Sequence, residues 1–110
     1  MIAATLAAEG ARVIACDVSA GGLAETAALH PAIETVVGDV GDETEVAKIV
    51  ALAGERVDIL VNNVGIAGPT ARAEDVTLAD WNESIRVNLT SHFLFARAVI
   101  PGMKARGAGL

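Results

Sequence analysis

Polar residues and glycines follow three short apolar runs that have the character of β-strands. Asp17 follows RVIAC, residues 38–40 follow IETVV, and residues 62–65 follow VDILV. In open parallel sheets, ligands bind just outside the carboxyl ends of the strands, so these residues are the candidates for a binding site. Asparagine at the end of a buried strand is costly unless its amide finds a partner. The sequence therefore predicts a ligand site at one edge of a sheet.

Asp17 has the position and charge of a residue that accepts hydrogen bonds from the hydroxyls of a ribose. A carboxylate there would repel a 2′-phosphate, and the next residue is Val18 rather than an arginine that could receive such a phosphate. The pattern thus favours NAD over NADP as the cofactor. The alternative is that Asp17 only caps the turn into the following helix.

Other reactive side chains give weaker signals. His30 and His92 have no metal-ligating companions at a usable spacing, so we expect surface or helix positions for them and no metal site. Cys16 lies within an apolar strand and is expected to be a small core residue. Thr90 and Ser91 have no matching base nearby in the sequence.

The three strand-like runs alternate with helical stretches. They cover residues 12–17, 33–37 and 57–62, and they lack clean polar alternation, which is typical of a sheet covered on both faces. Helical stretches between them imply parallel pairing through right-handed crossovers. We therefore expect an α/β fold, a partial, Rossmann-like, doubly wound parallel sheet of three strands with about four helices.

The expected helices have recognisable end signals. Gly10 can end the first helix, Ser19 can cap the second, and Asp42 with Glu45 forms a capping-box arrangement at the start of the third. The inner face of the third helix is expected to consist of Val46, Ile49, Val50 and Leu52. A fourth, long helix is expected from Leu78 onward. Its apolar residues recur at spacings of three and four, namely Trp81, Ile85, Leu89, Phe93, Ala96 and Ile100.

Length and composition exclude several classes of protein. With 110 residues the chain is expected to form a single domain. A net charge of −6 without a basic patch argues against a nucleic-acid partner. No window approaches the roughly 20 apolar residues that span a bilayer, so no membrane partner is expected. The single cysteine fits a reducing compartment, and we expect a cytoplasmic location.

Four stretches together resemble the short-chain dehydrogenase/reductase family in order and spacing: AAEGARVIACDV, GDV, VDILVNNVGIAG and LADWNESIRVNLTSHFLFARAVIPGMKARGAG. The resemblance covers essentially the whole chain. It implies an NAD(P)-binding Rossmann domain from an oxidoreductase that interconverts a secondary alcohol and a ketone by hydride transfer. It also implies a small-molecule alcohol or carbonyl substrate, and a homo-oligomer formed through the helix that contains Asn88.

The resemblance assigns adenosine contacts to the first part of the chain. Asp17 matches the acid that binds the adenosine ribose in NAD-preferring members. Asp39 and Val40 match the pair that meets the adenine, through the carboxylate and a backbone amide.

Further roles fall on the second part of the chain. Asn62, Val64 and Gly65 match the NNAG element that lies along the cofactor, with Val64 in place of the usual alanine. Asn88 matches the helix asparagine that organises a water in the proton relay, and it is the one catalytic residue expected here. The alternative is a polar residue that only bonds to the backbone.

Several elements of the family have no counterpart in these residues. The glycine-rich turn T-G-x-x-x-G-x-G would precede Met1, the serine and the Y-x-x-x-K element would follow Leu110, and the sequence contains no tyrosine. We therefore interpret the chain as an internal piece of a longer protein and expect it to be inactive as a dehydrogenase by itself. The absent first strand would lie between the runs at 12–17 and 57–62, which leaves both without their common neighbour.

Two other interpretations remain open. One is a non-catalytic binding or association module derived from this family. The other is a different doubly wound domain, such as a receiver or a nucleotide-sugar enzyme. A receiver would need an acidic cluster at the strand ends and a late lysine, which Asp17 and Asp39 imitate only loosely.

Overall fold

A computed structural model describes residues 1–110 as two compact units, Met1–Val40 and Gly41–Leu110. The first unit contains both strands of the only sheet, and the second is helical apart from its connecting segments. The structure contains the four helices that the sequence predicts, the last of them long and interrupted. Whether the two units form a single domain stays a prediction.

The first unit is a parallel strand pair with two helices packed on it. Strand β1 (Val13–Asp17) pairs with β2 (Ile33–Val37) in the register Val13↔Ile33 to Asp17↔Val37. Helices α1 (Ile2–Ala8) and α2 (Ala20–Ala27) both contact the strands. Their buried side chains, with that of β2, form a small core of Ala7, Leu23 and Ile33.

The predicted end signals of the first two helices are confirmed. Gly10 follows α1 with a φ of 90°, a left-handed conformation that glycine adopts without a steric penalty. The hydroxyl of Ser19 accepts a hydrogen bond from the Gly22 amide at 3.2 Å and so caps α2.

Helix α3 (Glu43–Ala53) opens the second unit. The Asp42 carboxylate accepts a hydrogen bond from the Glu45 amide at 2.9 Å, which confirms the predicted cap. Val46 and Ile49 are buried, and α3 packs against α5 (Ser91–Arg106). The inner position predicted for Leu52 is wrong: its side chain is 56% exposed, because at 100° per residue it lies on the flank of this face.

Residues 57–62 do not form the predicted third strand. The sheet has two strands, and this segment makes only two backbone bonds near its middle: the Leu60 amide donates to Leu110 and the Leu110 amide donates to Asp58, at 2.8 and 2.9 Å. A strand exists only as part of a ladder, and these two bonds reach a single residue, Leu110. Ile59 and Val61 accordingly remain 44% and 45% exposed.

The long helix predicted from Leu78 is present, but it is interrupted. Helix α4 (Leu78–Ile85) continues directly into a π-helical turn (Arg86–Thr90), which continues directly into α5. The buried side chains of the turn and α5 are Val87, Ser91, Leu94 and Val99.

Most of the apolar residues whose spacing predicted this helix lie on its exposed side. We call this surface the apolar stripe; it consists of Trp81, Ile85, Leu89, Phe93 and Ile100, while Ala96, the sixth predicted residue, is half-buried. The stripe includes exposed residues on both sides of the π turn. The 3.6-residue period therefore predicted the helix but not which of its faces is buried.

Candidate cofactor site

The candidate residues of the first unit lie at one edge of the strand pair. Because β1 and β2 are parallel, their carboxyl ends meet, and the Gly38 amide donates a hydrogen bond to the Asp17 carbonyl at 3.0 Å. Residues Asp39 and Val40 follow directly. Val40 is 6% exposed as a whole residue, whereas Asp39 is half-buried.

Asp17 makes the cap that the sequence offered as the alternative, and its contact with a ribose stays a prediction. Its Oδ1 atom accepts a hydrogen bond from the Ser19 amide at 2.9 Å, so the side chain does cap the turn into α2. The residue is nevertheless exposed, and a carboxylate has about four acceptor sites, of which this bond uses one. The cap therefore leaves acceptor capacity at the edge of the sheet.

Cys16, beside Asp17, is not an activated nucleophile. Burial raises the pKa of its thiol, and the negative charge of Asp17 raises it further. The thiol therefore stays protonated near neutral pH, in agreement with the predicted role as a small packing residue.

The candidate residues of the second unit lie in a segment without backbone pairing. Asn62 and Gly65 are exposed and Val64 is half-buried. A Cβ atom placed on Gly65 would meet only the Asn88 Oδ1 atom, at an ordinary contact distance of 3.5 Å. The protein itself thus leaves room for a side chain at Gly65.

Asn88, in the π turn, binds the segment through both ends of its amide. Its Oδ1 atom accepts from the Ile66 amide at 2.7 Å, and its Nδ2 atom donates to the Ile66 carbonyl at 2.8 Å. A side-chain amide bound in this way replaces a neighbouring strand for one residue. The backbone-bonding alternative for Asn88 is therefore observed, and its role in a proton relay stays a prediction.

His92 contacts the same segment, which the sequence did not predict. Its Nε2 atom lies 3.2 Å from the Val64 carbonyl oxygen, and the ring is half-buried. The spacing in the sequence could have predicted this contact, because His92 is four residues after Asn88 and residues four apart lie on the same face of a helix.

No three His, Cys, Asp or Glu side chains lie close enough together to hold a metal ion. None of the helices is both long and apolar enough to cross a membrane.

The whole chain, residues 1–110, matches the family model for short chain dehydrogenase. The chain belongs to this family. D-threitol dehydrogenase from Mycolicibacterium smegmatis is 36% identical over 115 residues, which cover 98% of the chain and 44% of that relative. Levodione reductase from Leifsonia aquatica is 36% identical over 117 residues, with the same coverage of 98% and 44%.

Solved structures of short-chain dehydrogenases share the fold. A crystal structure of levodione reductase has a TM-score of 0.91 and 34% identity, covering 98% of this chain and 45% of its own. A 3-ketoacyl-(acyl-carrier-protein) reductase from Brucella melitensis, complexed with NADH, has a TM-score of 0.89 and 32% identity, covering 96% and 45%. The chain is thus a partial Rossmann-like α/β fold, and it spans less than half the length of these relatives.

Proposed function

We propose that this chain is the adenosine-binding part of an NAD-dependent short-chain dehydrogenase/reductase whose full length interconverts a secondary alcohol and a ketone. The observation that carries the proposal is the bond from the Gly38 amide to the Asp17 carbonyl, which joins the ends of two parallel strands. It brings an exposed carboxylate and the Asp39–Val40 backbone to one edge, the arrangement that a nucleoside needs.

Asp17 would bind the ribose hydroxyls, since it keeps free acceptor capacity beside its cap bond to Ser19. Asp39 and the Val40 backbone would meet the adenine. The carboxylate of Asp17 would repel a 2′-phosphate, which supports NAD rather than NADP.

Asn62, Val64 and Gly65 would lie along the cofactor. Only the Asn88 Oδ1 atom borders Gly65, at an ordinary contact distance, so a ligand that needs close approach to the backbone would explain a glycine there. A bound nicotinamide supplies or accepts the hydride, while the residues of this chain bind and orient the cofactor.

Asn88 would organise a water of the proton relay through capacity that its bonds to Ile66 leave over. The amide oxygen has two acceptor sites and the amide nitrogen two hydrogens, and Ile66 uses one of each. The chain has no tyrosine to act as the general acid or base, so we expect no dehydrogenase turnover from these residues alone.

The full-length protein would act on a small alcohol or carbonyl compound in the cytoplasm and form a homo-oligomer through the helix that contains Asn88. The apolar stripe on this helix supports the oligomer, because Trp81 and Leu89 are 59% and 62% exposed. The same surface favours the second candidate function, a non-catalytic association module that pairs with a full-length relative.

Calorimetric titration of the 110-residue chain with NAD⁺ and NADP⁺ tests the cofactor assignment. We expect NAD⁺ to bind about five- to tenfold more tightly, because a carboxylate opposes the 2′-phosphate at short range. The variant Asp17→Asn should reduce this preference. The control variant Glu25→Gln removes a negative charge from the exposed face of α2 and should leave it unchanged.

Two outcomes contradict the assignment. Equal affinity for both dinucleotides would refute the preference for NAD. Failure of both to bind, together with capture of the chain by a co-expressed full-length relative, would favour the association module instead.

A further inference from the structure

Three polar residues of the long helix border every second position of one connecting segment. His92 lies 3.2 Å from the Val64 carbonyl through Nε2, and Asn88 makes two hydrogen bonds to Ile66. Ser84 borders Gly68 so closely that a Cβ atom there would lie 2.8 Å from its Oγ atom. We call these contacts the polar ladder; its helix side is Ser84, Asn88 and His92, and its segment side is Val64, Ile66 and Gly68.

The polar ladder runs in opposite directions on its two sides. Residues 84, 88 and 92 meet residues 68, 66 and 64 in reverse order, four residues apart on the helix and two apart on the segment. Asn88 and His92 make hydrogen bonds to the segment, whereas the Ser84 hydroxyl donates to the Asp80 carbonyl at 2.9 Å and only borders Gly68. The two hydrogen-bonding positions therefore lie on either side of Gly65.

The segment depends on these helix side chains for its hydrogen bonds. Between residues 61 and 71 the backbone makes no hydrogen bond to other backbone groups. Its hydrogen bonds are those from the side chains of Asn88 and His92. The helix side chains thus take the place of a neighbouring strand along this stretch.

We propose that His92 is a positioning residue of the cofactor site. A carbonyl oxygen can only accept, so Nε2 carries the hydrogen and donates it to Val64. This bond and the Asn88 bonds to Ile66 fix the backbone on both sides of Gly65. The proposal rests on the proposed function, in which Gly65 lies along the cofactor, and it assigns His92 no contact with a ligand.

The test uses the 110-residue chain and the exchange rate of the Ile66 amide, measured by NMR without cofactor. His92→Phe keeps a ring but removes the donor, and we expect Ile66 exchange to rise about 3- to 10-fold. His92→Gln places an amide donor near the Nε2 position and should keep the rate within about twofold of wild type. Lys104→Gln, at an exposed position further along α5, should change nothing.

The tautomer of His92 provides a measurement that needs no variant. Nitrogen-15 spectra of the ring in the wild-type chain should show a hydrogen on Nε2. A neutral ring with its hydrogen on Nδ1 alone would overturn the proposal, and so would a His92→Phe chain with wild-type exchange at Ile66. If His92→Phe fails to fold, the tautomer of His92 in the wild-type chain tests the proposal by itself.

Titration of the same labelled chain with NAD⁺ separates this proposal from the proposed function. Shifts of the Gly65 and Ile66 amides on addition of NAD⁺, reduced in His92→Phe and restored in His92→Gln, would support both. Absence of any shift in wild type, with exchange still dependent on His92, would refute the cofactor site and leave the polar ladder in place.

Discussion

Asp17 binds its own backbone turn and yet remains exposed to a ligand. Its Oδ1 atom caps the turn through Ser19, which is a local contact that the sequence could predict from two neighbouring residues. The contact from His92 to Val64 joins residues far apart in sequence. A sequence shows which polar groups need partners, but distant partners are set by the packing of whole elements.

Cys16 gives a prediction about reactivity. Burial and the charge of Asp17 raise the pKa of the thiol above the ordinary value of 9.0. At pH 8 the folded chain should therefore contain less thiolate than the unfolded chain, and iodoacetamide should alkylate it more slowly. The rates in native buffer and in urea, followed by mass spectrometry, measure this difference.

The variant Asp17→Asn removes one of the two causes, so it should lower the pKa of Cys16 and speed alkylation of the folded chain. Glu25→Gln is the matched control and should leave the rate unchanged. The raised pKa of Cys16 also makes the stability of the fold depend on pH. Because the folded chain holds the thiol proton more tightly than the unfolded chain, the thiol stabilises the fold below pH 9.0, and this stability is lost as the pH rises toward the folded pKa. Equal alkylation rates in native buffer and urea would contradict the prediction.

At the scale of elements, capped helices were predicted correctly and the third strand was not. Ser19 and Asp42 cap helices within four residues of themselves, so the pattern carries the information. The run at 57–62 has strand-forming residues, but its backbone bonds join it to the single residue Leu110, which is too few for a ladder. The π turn at Arg86–Thr90 likewise has no simple sequence pattern, and the spacing of the apolar stripe did not show that this face is exposed.

Two glycine-to-alanine variants should change stability in opposite directions. Gly21 lies in α2 with open space around it, so Gly21→Ala should stabilise the chain by about 0.5–1 kcal/mol through lower backbone entropy of the unfolded state. Gly68 has a φ of 70° and borders Ser84, so Gly68→Ala should destabilise it by about 1–2 kcal/mol.

Urea unfolding measures both effects, by circular dichroism for Gly21→Ala and by Trp81 fluorescence for Gly68→Ala. Trp81 is the single tryptophan and belongs to the second unit, as Gly68 does. A stabilising Gly68→Ala would show that the segment is not held against the helix at Ser84.

At the scale of the whole molecule, family membership is shown by a match over all 110 residues, whereas the chain spans less than half the length of the relatives that it matches. Four stretches of the sequence taken together, from AAEGARVIACDV to the helix that contains Asn88, were sufficient to predict the family. They were not sufficient to predict a substrate, because none of their residues distinguishes one alcohol from another.

The apolar stripe predicts association of the chain in solution. At tens of micromolar, wild type should sediment as a species larger than the 11.2 kDa monomer, since exposed apolar surface of this extent favours self-pairing. Leu89→Lys should shift the distribution toward monomer.

Leu29→Lys is the matched control, because Leu29 is 57% exposed but lies outside the stripe, in the first unit. A monomeric wild type, or an equal effect of the two variants, would argue against association through this helix.

The polar ladder also limits how the segment can move. A slip of the segment by one residue would present positions 65 and 67 to His92 and Asn88 in place of Val64 and Ile66. All the contacts would then be lost together, and none could be kept by a small displacement. We therefore expect the backbone around Gly65 to occupy one discrete register or to leave it completely, so that the site is either fully formed or absent.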